Sequence, residues 1–180
     1  MRRTVVKRPD CPPAALNQLS HDNDLDIRRE VAKRPDCPSD TMLHLSGDLT
    51  VSWILCENPA CIPQALRSIA VSTSTWANKI AAHRNCPSDL LEQYATAKSL
   101  TLRSIAALHP NCPQATLERL SHSRDKDILG SVARNPTCPP PATTHRLLMH
   151  PNRQVAAAAA ANLNLPRAAW AMWQLAQPQP

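Results

Sequence analysis

The sequence has no Phe, one Tyr and only two Gly among 180 residues. So little Gly leaves few positions for tight hairpin turns with positive φ, which argues against an antiparallel β fold. With aromatics scarce, Leu, Ala, Val and Ile must fill the core. No apolar run reaches the ~18 residues of a membrane-spanning helix. The N-terminal Met1-Arg2-Arg3-Thr4-Val5-Val6-Lys7-Arg8 has no long apolar stretch behind its charges and does not read as a secretory signal. The seven Cys form no CxxC pair and read as reduced thiols of a cytoplasmic protein. No Gly-rich phosphate loop, GxSxG, HExxH or HxxxH occurs. The expectation is a non-enzymatic chain with no cofactor and no metal site.

Proline, by contrast, is abundant at eighteen residues, and it is spaced rather than clustered. Cys11, Cys37, Cys61, Cys86, Cys112 and Cys138 each precede a Pro, directly or nearly so, at intervals of 26, 24, 25, 26 and 26 residues. Leu165-Pro166 extends the series by 27 residues. A second column, Pro9, Pro35, Pro59, Pro110 and Pro136, runs two residues ahead, with Arg84 and Leu163 in its gaps. A fixed period of this size marks a stacked array of about seven repeats.

Each repeat reads as two short helices. The first carries apolar columns at Ile27, Val51, Trp76, Leu102, Ile128 and Val155, and four residues on at Val5, Val31, Leu55, Ile80, Ala106, Val132 and Ala159. That spacing places both columns on one face. A neighbouring column of small residues, such as Ala32, Cys56 and Ala81, permits close helix approach. The Pro column ends this helix, because the residue before Pro is pushed out of the α region. The second helix begins at the Cys-Pro step, where a missing N–H costs nothing. It carries Leu16, Met42, Leu66, Leu91, Leu117 and Trp170, then Leu19, Leu45, Ile69, Tyr94, Leu120, Leu147 and Trp173. Asp10, Asp36, Asn85, Asn111 and Asn164, just before the Cys position, suit turn or cap chemistry.

The pattern hydrophobic-Arg-x-x-Val-Ala-x-x-Pro-x-Cys-Pro is clearest in Ile27-Arg28 through Cys37-Pro38 and in Leu102-Arg103 through Cys112-Pro113. It resembles the leucine-rich repeat variant family of bacterial proteins. The resemblance implies an all-α, right-handed superhelical solenoid without sheet, one of whose two helices can be 3₁₀. It implies no activity. Some members carry a cysteine-rich iron–sulfur segment before the repeats. Here the first repeat begins at Met1, so that chemistry is not carried over. The expected organisation is one repeat domain over residues 1–180, with 151–180 a degraded C-terminal cap that ends in Gln177-Pro178-Gln179-Pro180. The alanine run from Ala156 to Ala161 favours helix, and Trp170 and Trp173 are expected to cover the end of the core. No such change marks the first repeat, so its Val5, Leu16 and Leu19 leave that end open to self-association.

Candidate function rests on charge. The formal net charge is +6. In the first two repeats the cations recur column by column, Arg2 with Arg28, Arg3 with Arg29 and Lys7 with Lys33, and Arg103 repeats the Arg28 position. These seven are the candidate partner- or phosphate-binding residues. Yet residues 1–90 are net +1 and residues 91–180 net +5, so the patch is partly neutralised. Asp22, Asp24 and Asp26 lack the glycine and terminal Glu of a calcium loop and read as a solvated spacer. His83 and His109, just before Arg84 and Pro110, read as C-terminal helix residues that complement the dipole. With Trp76, Trp170 and Trp173 assigned to core columns, single-strand stacking is disfavoured. The leading expectation is a cytoplasmic scaffold that binds an unknown protein partner. The alternative is a duplex nucleic-acid binder, or a repair-type enzyme on a helical-repeat scaffold.

Overall fold

The computed structural model describes residues 1–137, 139 and 141–175, with Met172 as backbone alone. About 60% of the chain is helical, and no strand occurs among the described residues. Seven first helices are α1 (Arg2–Val5), α3 (Leu25–Lys33), α5 (Ser52–Leu55), α7 (Ala77–Ala82), α9 (Leu100–Leu108), α11 (Lys126–Ala133) and α13 (Arg153–Ala160). They alternate with α2 (Pro13–Leu19), α4 (Ser39–Ser46), α6 (Pro63–Ser72), α8 (Ser88–Tyr94), α10 (Gln114–Leu120), α12 (Pro141–Leu148) and α14 (Arg167–Leu175). All fourteen described helices are α, including the single turns α1 and α5.

The chain divides into two compact bodies, Met1–Pro87 and Ser88–Pro180. In the N-terminal body α3 packs between α1 and α5, and α4 between α2 and α6. In the C-terminal body α11 packs between α9 and α13, and α12 packs against α14. Like helix therefore lies on like helix. The apolar columns explain why: Val31, Leu55, Ile80, Val132, Leu16, Leu45, Leu66, Ile69, Leu91 and Leu117 are fully buried. Helices this short are marginal alone, and each holds only because its apolar face is covered by neighbours.

The helix boundaries follow from local chemistry. Asp24, Ser99, Asp125 and Asn152 cap α3, α9, α11 and α13, each side chain accepting a first-turn N–H. The second helices start differently. Pro12, Pro38 and Pro113 occupy the cap position of α2, α4 and α10 without a side-chain bond. The Asp or Asn before each Cys is thus not the cap. Asp10 and Asp36 accept from Arg8 and Arg34, while Asn85 Nδ2 donates to the Cys61 carbonyl at 2.9 Å.

A further column joins the repeats. It consists of the residue just before the Pro position: Arg8, Arg34, Asn58, His83, His109, Asn135 and Asn162. Arg34 Nη1 donates to the Val6 and Arg8 carbonyls, both at 2.7 Å. Asn58 Nδ2 donates to Ala32 and Arg34 at 2.7 and 2.9 Å. His83 Nε2 donates to Asn58 at 2.8 Å. In the C-terminal body Asn135 reaches Ala107 and His109, and Asn162 reaches Ala133 and Asn135. The Val6, Ala32, Ala107 and Ala133 carbonyls are thereby satisfied at the ends of their first helices, while the Arg8, Arg34, Asn58 and His109 carbonyls gain a second donor beside the Cys N–H of their own turn. Each side chain's other polar atom turns back on its own chain. Asn58 and Asn135 Oδ1 accept from the N–H two residues on, and Nδ1 of His83 and His109 does the same. That fixes His83 as the Nε2–H tautomer. Both histidines are buried: His83 is a donor in this ladder, and His109 accepts from the Asn111 N–H.

One core-column residue of the C-terminal repeat, Trp170, differs from expectation as well. Trp170 is 45% exposed and Trp173 half-buried. Among the described residues no later helix lies against α14, so Trp170 sits at the rim rather than in the core. Gln177-Pro178-Gln179-Pro180 lies outside the described residues.

Replacing Asn58 by Leu removes two hydrogen bonds to the preceding repeat and leaves the Ala32 carbonyl unpaired, while the Arg34 carbonyl keeps the Cys37 N–H. The expected cost is about 2–4 kcal/mol in urea unfolding. Asn58→His should retain most of the stability, because His83 already fills the same role one repeat later. Equal losses for both variants would show that the side-chain bonds do not matter.

Candidate functional site

The cysteine column is a packing feature. Cys11, Cys37, Cys61, Cys86 and Cys112 are buried, as is Cys56 of the small-residue column, and all are free thiols. Cys138 lies outside the described residues. Burial pushes the Cys37 and Cys61 thiols up to about 12, and Cys56 and Cys112 to about 11. Desolvation disfavours the thiolate, the form that attacks electrophiles and binds metals. Among the described residues no three His, Cys, Asp or Glu converge as metal ligands.

The seven basic candidates divide by partner. Arg2 pairs with Asp22 at 3.0 Å, and Arg3 with Asp24 and Asp26 at 2.8 and 3.0 Å. Arg28 is half-buried. Its Nε donates to Asp48 at 2.9 Å and its Nη1 to the Asp22 carbonyl at 2.8 Å, so it braces the spacer between α2 and α3. Arg29 stands 3.7 Å from Asp26, and its buried Nε meets no acceptor. Lys33 pairs with Glu30 at 2.8 Å. Lys7 makes no ion pair among the described residues, although its charge helps to hold the Glu30 carboxyl below its ordinary value. Arg103 belongs to α9 of the C-terminal body, where its Nε is buried without an acceptor.

Four of the seven meet at one place. Arg3, Lys7, Arg29 and Lys33 line a cleft of about 330 Å³ over α1 and α3, together with Asp26 and Glu30. Lys33 also lines a second cleft of about 310 Å³, whose other walls are Trp53, Ile54, Glu57, Asn58 and Pro59. The shared lysine makes the two clefts neighbours on the first-helix side of the N-terminal body.

The acidic spacer answers the cations. The Asp24 carboxyl is held below its ordinary value chiefly by the Arg3 hydrogen bond, despite some desolvation. For Asp48 burial alone would raise the value, but bonds from Thr50 and Arg28 outweigh it. Asp22, Asp24 and Asp26 thus work as turn, cap and counter-charge, consistent with the spacer reading.

Trp53 and Trp76 were not singled out as surface residues by their register. Both are half-buried, and the Lys79 ammonium stands about 6 Å from each ring, at 6.0 and 5.9 Å. This is the outer range of a cation–π contact. Lys79 also pairs with Glu57. Trp53 occupies the same repeat position as Arg3 and Arg29, which is the signal that places it on their face.

At pH 8 a thiol reagent should label Cys37 and Cys61 only on unfolding, by peptide mapping. Between the ordinary thiol value near 9 and about 12, the unfolded chain binds fewer protons than the folded one. Stability should therefore fall as pH rises through that window. Rapid native labelling of Cys37 would contradict its burial.

No curated protein and no solved structure matches the chain. Residues 1–24, which span the first repeat, match the family model of the leucine rich repeat variant, so this segment is similar to that family.

Proposed function

We propose that the chain is a non-enzymatic scaffold in which about seven repeats form one right-handed solenoid that binds another protein. One observation carries this reading. The cations that suggested an anionic partner are largely engaged by carboxylates of the same chain, at 2.8–3.0 Å for Arg2, Arg3, Arg28 and Lys33. A duplex binder needs a row of free cations at phosphate spacing, because neutralising phosphates supplies most of its affinity. A surface of mixed sign with half-exposed Trp is the composition of a protein interface, where aromatic and Arg anchors are enriched. The matched family segment supports a helical repeat protein.

A cytoplasmic site belongs to the same reading, since buried free thiols persist where the compartment is reducing. Self-association through the first repeat is a subsidiary part of it. There Val5 and Leu19 stay partly exposed while Leu16 is fully buried, so the apolar contact offered is small.

Two measurements test the scaffold against the nucleic-acid alternative. Affinity capture from cell extract should retain a protein equally with and without nuclease treatment. Fluorescence anisotropy with labelled duplex DNA should show no binding at low salt. Duplex binding that weakens steeply with salt would overturn the scaffold reading in favour of the alternative.

A further inference from the structure

We infer that the paired clefts of the N-terminal body form a docking groove for an extended acidic peptide segment. That segment would carry an apolar ring about three residues from its carboxylate. The inference rests on the protein-scaffold reading and names the surface and the chemistry of the partner.

The first cleft supplies the anion site. Lys7 is exposed and makes no ion pair among the described residues, and Arg29 holds only a 3.7 Å contact with Asp26. Both line the same 330 Å³ space, with Lys33 and Arg3 beside them. Four cations face two carboxylates, Asp26 and Glu30, so the cleft keeps a positive excess. That excess suits a singly charged carboxylate. A phosphate backbone would bring repeated charge against Asp26 and Glu30, which line the same space.

The second cleft supplies the apolar site. Trp53, Ile54 and Pro59 form its walls, and Lys33 and Glu57 its polar edges. A flat apolar ring can lie against the Trp53 indole there, as aromatic pairs favour. Lys79, held by Glu57 and set about 6 Å from the Trp53 and Trp76 rings, limits how far the ring can slide toward α7.

The spacing follows from the packing. The anion site lies over α1 and α3, and Trp53 stands on α5, which packs against α3. Neighbouring packed helices lie roughly 8–10 Å apart. An extended chain advances about 3.3 Å per residue. A carboxylate and a ring three residues apart therefore reach the two sites together.

The test uses the ¹⁵N-labelled full chain and follows the indole N–H resonance of Trp53, assigned by its loss in Trp53→Phe. The probe is the capped peptide acetyl-Asp-Glu-Gly-Ser-Phe-amide. A saturable shift is expected, with weaker shifts for the Ala-ended peptide and none for the peptide that has two Lys in place of the acids. Lys7→Glu with Lys33→Glu should weaken binding by about tenfold or more, because charge reversal sets like charges together. Circular dichroism confirms that this surface variant stays folded. No shift at millimolar peptide, an equal shift with the Lys peptide, or indifference to the charge reversal would each overturn the groove. A captured protein held equally by the Lys7→Glu, Trp53→Ala chain also overturns the groove and leaves the scaffold reading standing. If the unmodified chain captures no protein, both fall.

Discussion

The fate of the last carbonyls of each first helix governs this structure. A helix of four to nine residues leaves from nearly half to all of its backbone acceptors without an internal partner. Buried without partners, those groups would cost more than such short elements can recover by packing. Arg34, Asn58, Asn135 and Asn162 of the column resolve this by donating to the Val6, Ala32, Ala107 and Ala133 carbonyls, and His83 adds a bond to the Asn58 carbonyl just beyond α5. The same residues bind their own turn through a second atom, except that Arg34 uses Asp36 as its anchor. Backbone closure and repeat stacking are therefore one interaction. The Pro column is compatible with it because Pro stops the helix where the donor must enter.

Much of the fold was legible because it depends on pattern. The Cys–Pro period, the two apolar columns and the small column required only counting, and Val31, Leu66 and Ala81 are buried as their columns indicate. The ladder was not legible because its members share no residue type. Arg, Asn and His have in common only that each can donate to a carbonyl and anchor to the turn behind it, a capacity that a search for identical letters passes over. His83 shows the consequence: read singly it suggested a helix end that complements the dipole, and read within its column it is a donor to the Asn58 carbonyl.

The candidate site was half legible for a related reason. Sequence shows where cations recur but not what meets them. The partners stand about one repeat away, Asp24 against Arg3 and Asp48 against Arg28, and enter range only after the helices stack. Lys7, Arg29 and Arg103, the least engaged of the seven, could not be separated from the others by position alone. Trp170 erred in the opposite direction. Its register placed it in a core column, but a column is a core only where another helix covers it, and it is 45% exposed.

The ladder also has a direction, and synthesis on the ribosome runs the same way. The ends of α1, α3, α9 and α11 are each completed by a side chain that lies 26–29 residues further along, as with Asn58 on Ala32 and Asn162 on Ala133. At about 5–20 residues per second, the helix end waits on the order of 1–6 seconds for its donor to be made. During that interval the newest repeat on a nascent chain has open carbonyls and an uncovered apolar face. The growing end is thus the part of the chain most exposed to misassociation, and each new repeat passes that exposure to its successor.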